Sequence, residues 1–207
     1  MSALEIIAKH KLVAIVRLDD LSIADELLDA LVAGGIRAIE FTLTNPRATE
    51  TIAAMRSRVG EGIVIGAGSV IHAEQVRAVA AAGAQFVVSP ITKREVLDEC
   101  AAQALPAMPG AFTPSEIQQA WEWGAAVVKV FPANNLERRF IKDVLAPLPH
   151  LRLMPTGGVS LENLREYLEM GAFALGIGSS LINNQAVADR DWDALRDNAR
   201  TYVERLA

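Results

Sequence analysis

Short apolar runs alternate with amphipathic stretches along the chain. The runs are Leu12–Val16, Ala38–Leu43, Ile63–Ile65, Phe86–Val88, Ala107–Met108, Val127–Phe131, Arg152–Met154 and Ala174–Ile177. Most are continuous in apolar character rather than alternating, the pattern of strands covered on both faces. Between them, helical spacing predicts helices over Ser22–Ala33, Pro46–Val59, Ala73–Ala82, Lys93–Gln103, Pro114–Trp123, Glu137–Leu145 and Leu161–Met170, and Trp192–Leu206 closes the chain. Met1–His10 reads as a short amphipathic helix ahead of the first strand. Eight strand–helix units with no long linker or shift in composition predict one α/β domain over 1–207, folded as a (β/α)₈ TIM barrel. A doubly wound sheet shares this alternation and is the other candidate. The third and fifth runs are the least patterned. Ala33-Gly34-Gly35, Ala82-Gly83-Ala84, Trp123-Gly124-Ala125 and Met170-Gly171-Ala172 place glycine at helix ends, where a left-handed residue stops the helix before the next strand.

Composition narrows the function. The chain has 207 residues, 51% of them hydrophobic, and a net charge of −5 with no basic cluster, which argues against nucleic acid as a partner. No apolar stretch reaches membrane-spanning length, and the N-terminal segment lacks the apolar centre of a signal peptide. The lone Cys100 sits among Leu97, Ala101 and Ala104 and reads as a small core residue. A chain without an internal disulfide suits the cytoplasm. His10, His72 and His150 are scattered, and no metal-ligand spacing occurs, so neither metal nor cofactor is expected.

The charged residues inside the strand runs carry the chemistry. Lys129 lies in Ala125-Ala126-Val127-Val128-Lys129-Val130-Phe131-Pro132. Burial strips its hydration and favours the neutral amine, a nucleophile able to form a Schiff base with a ketone. The bland alternatives are a lysine paired with a buried acid, or one snorkelling to the strand end. Glu40, in Ile39-Glu40-Phe41-Thr42-Leu43-Thr44, is the matching acid. Burying either charge alone costs several kcal/mol, so the two should face one another or a substrate; a structural ion pair explains two residues but not the loops. In a barrel the site forms at the C-terminal strand ends. Those ends offer Arg17, Thr44, Ser69, Pro90, Pro109, Thr113, Phe131, Thr156-Gly157-Gly158 and Gly178-Ser179-Ser180. Arg17 presents a planar fork suited to a carboxylate, or is a surface arginine. Ser69, Thr44 and Thr113 could bond a polar substrate or cap helices. Pro90, Pro109 and Phe131 would wall the lysine. The glycine-rich seventh and eighth loops suit a phosphate held on backbone N–H groups. Asp19 and Asp20 are read as caps for the second helix.

Taken together, these residues resemble the class I 2-keto-3-deoxy-6-phosphogluconate (KDPG) and 4-hydroxy-2-oxoglutarate (KHG) aldolases. The matching phrases are Val13-Ala14-Ile15-Val16-Arg17, Gly34-Gly35-Ile36, Ile39-Glu40-Phe41-Thr42, Ile65-Gly66-Ala67-Gly68-Ser69-Val70, Gly83-Ala84-Gln85-Phe86-Val87-Val88-Ser89-Pro90, Met108-Pro109-Gly110, Lys129-Val130-Phe131-Pro132-Ala133 and Met154-Pro155-Thr156-Gly157-Gly158-Val159. The resemblance runs from Lys9 to the last helix. It implies a Schiff-base lysine at Lys129, a general acid/base at Glu40, and a phosphate site at Thr156-Gly157-Gly158 and Gly178-Ser179. It also implies a homotrimer. Many members carry an arginine where this chain has Thr44; others, including phosphogalactonate aldolases, use the first-strand arginine, here Arg17. Ser69 stands where the family has threonine. The Gly-Pro pair usual after the sixth strand is replaced by Ala133-Asn134-Asn135-Leu136-Glu137-Arg138-Arg139.

The implied activity is metal-independent cleavage of a 2-keto-3-deoxy-6-phospho sugar acid to pyruvate and glyceraldehyde 3-phosphate. The alternatives are 4-hydroxy-2-oxoglutarate, giving glyoxylate, the galactonate epimer, and an inert phosphosugar-binding barrel. The small-molecule 2-keto acid is the expected partner, with neither nucleic acid nor membrane.

Overall fold

A computed structural model describes residues 1–206. Within them lie nine parallel strands: β1 Leu12–Val16, β2 Ala38–Thr42, β3 Val64–Gly68, β4 Val87–Val88, β5 Ala107–Met108, β6 Gly110–Ala111, β7 Val128–Val130, β8 Leu153–Pro155 and β9 Leu175–Ile177. Helices α1 (Ala3–His10), α2 (Ala24–Ala33), α3 (Ala48–Arg58), α4 (Ala73–Ala81), α5 (Arg94–Ala102), α6 (Pro114–Glu122), α7 (Arg139–Leu145), α8 (Leu164–Glu169), α9 (Asn184–Ala188) and α10 (Trp192–Leu206) alternate with them. One sheet runs in the order β5-β4-β3-β2-β1-β9 and the other β6-β7-β8. The two sheets approach one another at two places. Only Pro109 separates β5 from β6, and a parallel bridge joins Thr156, just after β8, to Gly176 in β9.

The two-residue period of the strands divides the core. Leu12, Ala14, Val16, Ile39, Phe41, Ile65, Ala67, Val87, Val128, Val130, Leu153, Leu175 and Ile177 pack outward with the helices. Val13, Ala38, Val64, Phe86, Val88, Met108, Val127, Met154 and Ala174 pack inward with one another. Ala3, Ile6 and Ile7 of α1 join this inner cluster, so the N-terminal helix plugs one end of the curl. Its start is fixed by a capping box: Glu5 N–H donates to Ser2 Oγ (3.3 Å) and Ser2 N–H to Glu5 Oε2 (2.7 Å).

Several elements differ from the sequence reading. The third strand extends to Gly68, past the apolar run, because its glycines pair in register with Glu40 and Thr42 of β2. The fifth is split, since proline offers no N–H to the ladder at position 109. A 3₁₀ turn, Ala133–Asn135, and the short α9 escaped the apolar pattern, although Asn183 caps α9 by accepting from the Gln185 and Ala186 N–H groups. The helix-ending role falls on Gly35 (φ 100°) rather than Gly34, which stays right-handed. Thr113 is a helix cap: its hydroxyl accepts from Glu116 N–H at 3.3 Å. Asp20 accepts from Ser22 N–H and Oγ, while the N-cap position of α2 is Ile23. Cys100 is buried, its thiol pushed up to about 12 by desolvation, as befits a core residue. No helix among the described residues is long and apolar enough to cross a membrane.

Candidate active site

Lys129 is the middle residue of β7, aligned with Gly110 of β6 and Met154 of β8. It follows the inward Val127 by two, so its side chain turns to the interior, where it is 3% exposed. Its Nζ lies 4.7 Å from the centroid of the Phe131 ring. Glu40, in β2 beside Gly66, follows the inward Ala38 in the same way and is 1% exposed. Its Oε2 is buried without a hydrogen-bond partner.

Two opposed effects set the protonation of this pair. Desolvation is the largest for both, lowering Lys129 and raising Glu40. Glu40 partly restores the lysine, while the Arg17 guanidinium lowers it further; Lys129 and then Arg17 partly offset the rise at Glu40. Burial wins, so both groups are pushed toward their neutral forms. An amine without its proton has the lone pair a nucleophile needs, and a protonated carboxyl can donate.

Beyond the pair lies a cavity of about 380 Å³, lined by Arg17, Phe131, Thr156, Gly157, Gly158, Ser160, Gly178, Ser179 and Asn184, among others. Phe131 links the two: its ring lies beside Lys129 and also forms part of the cavity wall. Gly157 (φ 94°) and Gly158 (φ 75°) adopt conformations that side-chain-bearing residues avoid. The N–H groups of Gly158, Ser179 and Ser180 donate to no other backbone group among the described residues. Ser180 Oγ donates to Val159 O at 2.6 Å and ties the two loops together. The following helices are short, α8 of six residues and α9 of five, so what this end offers a ligand is unpaired backbone N–H groups rather than long helix dipoles.

The sequence-predicted residues divide by position. Arg17, Phe131, Thr156, Gly157, Gly158, Gly178 and Ser179 meet on the one cavity, whereas Lys129 and Glu40 are buried in the interior and form no part of its wall. Thr44 is exposed, and its hydroxyl lies 2.8 Å from that of Thr42, which donates to Val16 O. Ser69 is half-buried at φ 57°, and neither it nor Thr44 forms part of the cavity wall. Pro90 borders a second cavity, with Ile91, Phe112, Trp123 and Phe131, which both cavities share. Three further residues stand at these loops without a signal in the sequence. Ser160 and Asn184 line the first cavity, and Asn45 Nδ2 donates to Leu18 O and Asp19 O, holding the first loop to the second. Asn45 stood before a proline, an ordinary turn signal, with nothing to reveal its reach. Among the described residues, no three His, Cys, Asp or Glu side chains are grouped to hold a metal.

A buried amine and acid close to a loop-built cavity, at the C-terminal ends of parallel strands, define a carbonyl-directed α/β enzyme. Comparison with known proteins narrows the class. The family model "KDPG and KHG aldolase" matches residues 4–197. The 2-dehydro-3-deoxy-phosphogluconate aldolase of Treponema pallidum is 37% identical over 189 residues, covering 91% of this chain and 90% of the relative. The KDPG aldolase of Legionella pneumophila, solved with pyruvate captured as a covalent carbinolamine intermediate, superposes with a TM-score of 0.89 at 29% identity, covering 97% of each chain. A native KDPGal structure superposes at 0.85 with 31% identity, covering 94% of this chain and 95% of the other. The chain belongs to the KDPG and KHG aldolase family.

Proposed function

We propose that the protein is a Schiff-base aldolase that cleaves 2-dehydro-3-deoxy-6-phosphogluconate to pyruvate and glyceraldehyde 3-phosphate. The observation that carries this reading is Lys129, fully buried on an interior strand face and held toward its neutral form beside Glu40. Lys129 Nζ attacks the C2 ketone. Glu40 donates a proton to the carbinolamine hydroxyl, which leaves as water and gives the iminium. The Glu40 carboxylate then takes the proton of the C4 hydroxyl. The C3–C4 bond breaks, its electron pair passing toward the iminium as the aldehyde departs. Protonation of the resulting enamine at C3 and hydrolysis release pyruvate and restore the amine.

Arg17, with the Ser69 hydroxyl, holds the substrate carboxylate, and the pocket of Thr156, Gly157, Gly158, Gly178 and Ser179 holds the terminal phosphate. Phe131 and Pro90 supply apolar walls, and Thr44 contributes a hydroxyl at the second strand end. The split fifth strand and the Thr156–Gly176 bridge support one closed (β/α)₈ barrel, a single domain over the chain. The assembly proposed is a homotrimer, and exposed Ile91 and Phe112, beside the second cavity, offer an apolar surface for contact between copies. The single buried thiol accords with a cytoplasmic enzyme.

The galactonate epimer is the second reading. Arg17 lies on the cavity wall and Thr44 does not, and the KDPGal structure superposes closely. Pyruvate release from a panel of 2-keto-3-deoxy acids tests both. The gluconate phosphate should be the best substrate by kcat/KM. A preference for the galactonate phosphate selects the second reading, and one for 4-hydroxy-2-oxoglutarate overturns both. A bulky residue at Gly178 should weaken phosphorylated substrates alone. Gly178 suits this test better than Gly158, whose φ of 75° would strain any side chain, whereas a Cβ at 178 meets nothing nearer than 3.8 Å.

A further inference from the structure

Gly66 and Gly68 lie two residues apart on β3, so both turn toward the interior. Neither has the positive φ that would require glycine. What excludes a side chain differs between them. A Cβ at Gly66 would meet the Phe86 ring at 2.4–2.6 Å. A Cβ at Gly68 would meet Glu40 alone among its three nearest neighbours, with Oε1 at 1.9 Å, Cδ at 2.5 Å and Cγ at 2.6 Å. The Glu40 carboxyl therefore lies in the space that a side chain at 68 would fill. Its other oxygen, Oε2, has no bonded partner to hold it.

We propose that Gly68 is a positioning residue, whose missing side chain forms the seat that sets the Glu40 carboxyl at its working distance from Lys129. The inference rests on the proton-carrying role given to Glu40 above. With no hydrogen bond to Oε2, packing against the β3 backbone is what fixes the acid laterally. A methyl group at 68 forces Oε1 from 1.9 Å out to at least the 3.4 Å of ordinary contact, a shift of about 1.5 Å. The lysine, on the far β7, keeps its place.

Gly68→Ala should therefore lower kcat on the order of 10²-fold, the cost of about 1 Å of misplacement, with KM for the keto acid within a few-fold of wild type. It should also move the pH profile of kcat, since Glu40 changes both its burial and its distance from Lys129. An aspartate in place of Glu40 is one methylene shorter and draws the carboxyl back from the new methyl group. Glu40→Asp should thus cost less in the Gly68→Ala background than in wild type, and the double variant should outperform Gly68→Ala alone. If Gly68→Ala does not fold, Glu40→Asp should restore folding. Gly66→Ala serves as the packing control: it crowds Phe86 on the same strand face and should lower Tm while keeping the wild-type pH profile.

Four outcomes overturn the inference. These are a Gly68→Ala enzyme within about threefold of wild type, losses that multiply in the double variant, an unfolded Gly68→Ala that Glu40→Asp does not rescue, and a Gly66→Ala enzyme with the same pH change. Glu40→Gln separates this claim from the one beneath it. If Glu40→Gln is inactive and Gly68→Ala is normal, only the seat is refuted. If Glu40→Gln turns over like wild type, the role of Glu40 and its seat fall together.

Discussion

At the N-terminal ends of the strands, Val13, Ala38, Val64, Val127, Met154 and Ala174 close on one another under the α1 residues Ile6 and Ile7. Two residues further along the same strands, on the same inward face, stand Ile15, Glu40, Gly66, Lys129, Thr156 and Gly176. One end is filled by apolar side chains and sealed by a helix. The other is hollowed by glycine and holds two ionisable groups away from water. Both ends are buried, so burial alone does not tell a core from a site. The difference is what fills the space: side-chain volume below, and above it an absence of side chains that leaves room for a carboxyl, an amine and a substrate.

The comparison breaks most sharply at Lys129. Lys129→Ala should reduce turnover on the order of 10⁴-fold or more, as loss of a covalent nucleophile does elsewhere. Circular dichroism and Tm should match or exceed wild type, because the variant removes a desolvated amine rather than a packing residue. The plug predicts the reverse. Ile7→Ala, at a fully buried site, should cost about 2–5 kcal/mol of stability by urea titration, with kcat unchanged at 25 °C. If Ile7→Ala lost activity while Lys129→Ala unfolded, the roles of the two ends would be exchanged.

Arg17→Ala sharpens the electrostatics. Loss of one charge-assisted contact should weaken pyruvate by about 1.5–3 kcal/mol, one to two powers of ten in Kd. Arg17 also lowers the Lys129 pKa. Without it, that pKa should rise toward the usual amine value, and the acid limb of adduct formation should move to higher pH. A limb that stays in place or moves to lower pH would contradict the charge coupling.

The smallest effect concerns the stability cost of the site itself. The lowered Lys129 pKa contributes stability above the usual amine range, which is lost as pH falls through the lowered value. The raised Glu40 pKa contributes stability below the usual carboxylate range, which is lost as pH rises through the raised value. Near neutrality neither contribution is complete. The Glu40→Gln, Lys129→Met double variant should accordingly gain about 1–4 kcal/mol there, measured by denaturant titration. No gain would mean that the pair is not strained by burial.

Much of this contrast was legible in the sequence, and the limits of legibility have physical causes. The βα alternation and the strand bounds of β1 and β5 follow from apolar runs, and Glu40 and Lys129 stand out because a charge inside such a run demands an explanation. Arg17, Phe131 and the seventh and eighth loops could be placed at one end because strand ends define one face. Gly68 could not be read, since the reason for glycine there is a carboxyl on another strand rather than its own backbone. Asn45, which joins two loops across 26 positions, and Thr44, which turns to its neighbour Thr42, depend on loop paths that no periodicity encodes. The split of the fifth strand was written in Pro109, yet its partner segment Gly110–Ala111 is too short to register as a strand by pattern.

The central claim is that the hollowed end holds a nucleophilic amine at one position. Incubation with pyruvate and borohydride, followed by peptide mapping, tests it directly. A stable adduct should form on the peptide carrying Lys129, and none should form in Lys129→Ala. Adduct on Lys93 or Lys142 with Lys129 unmodified, or no adduct on any lysine, would contradict the account.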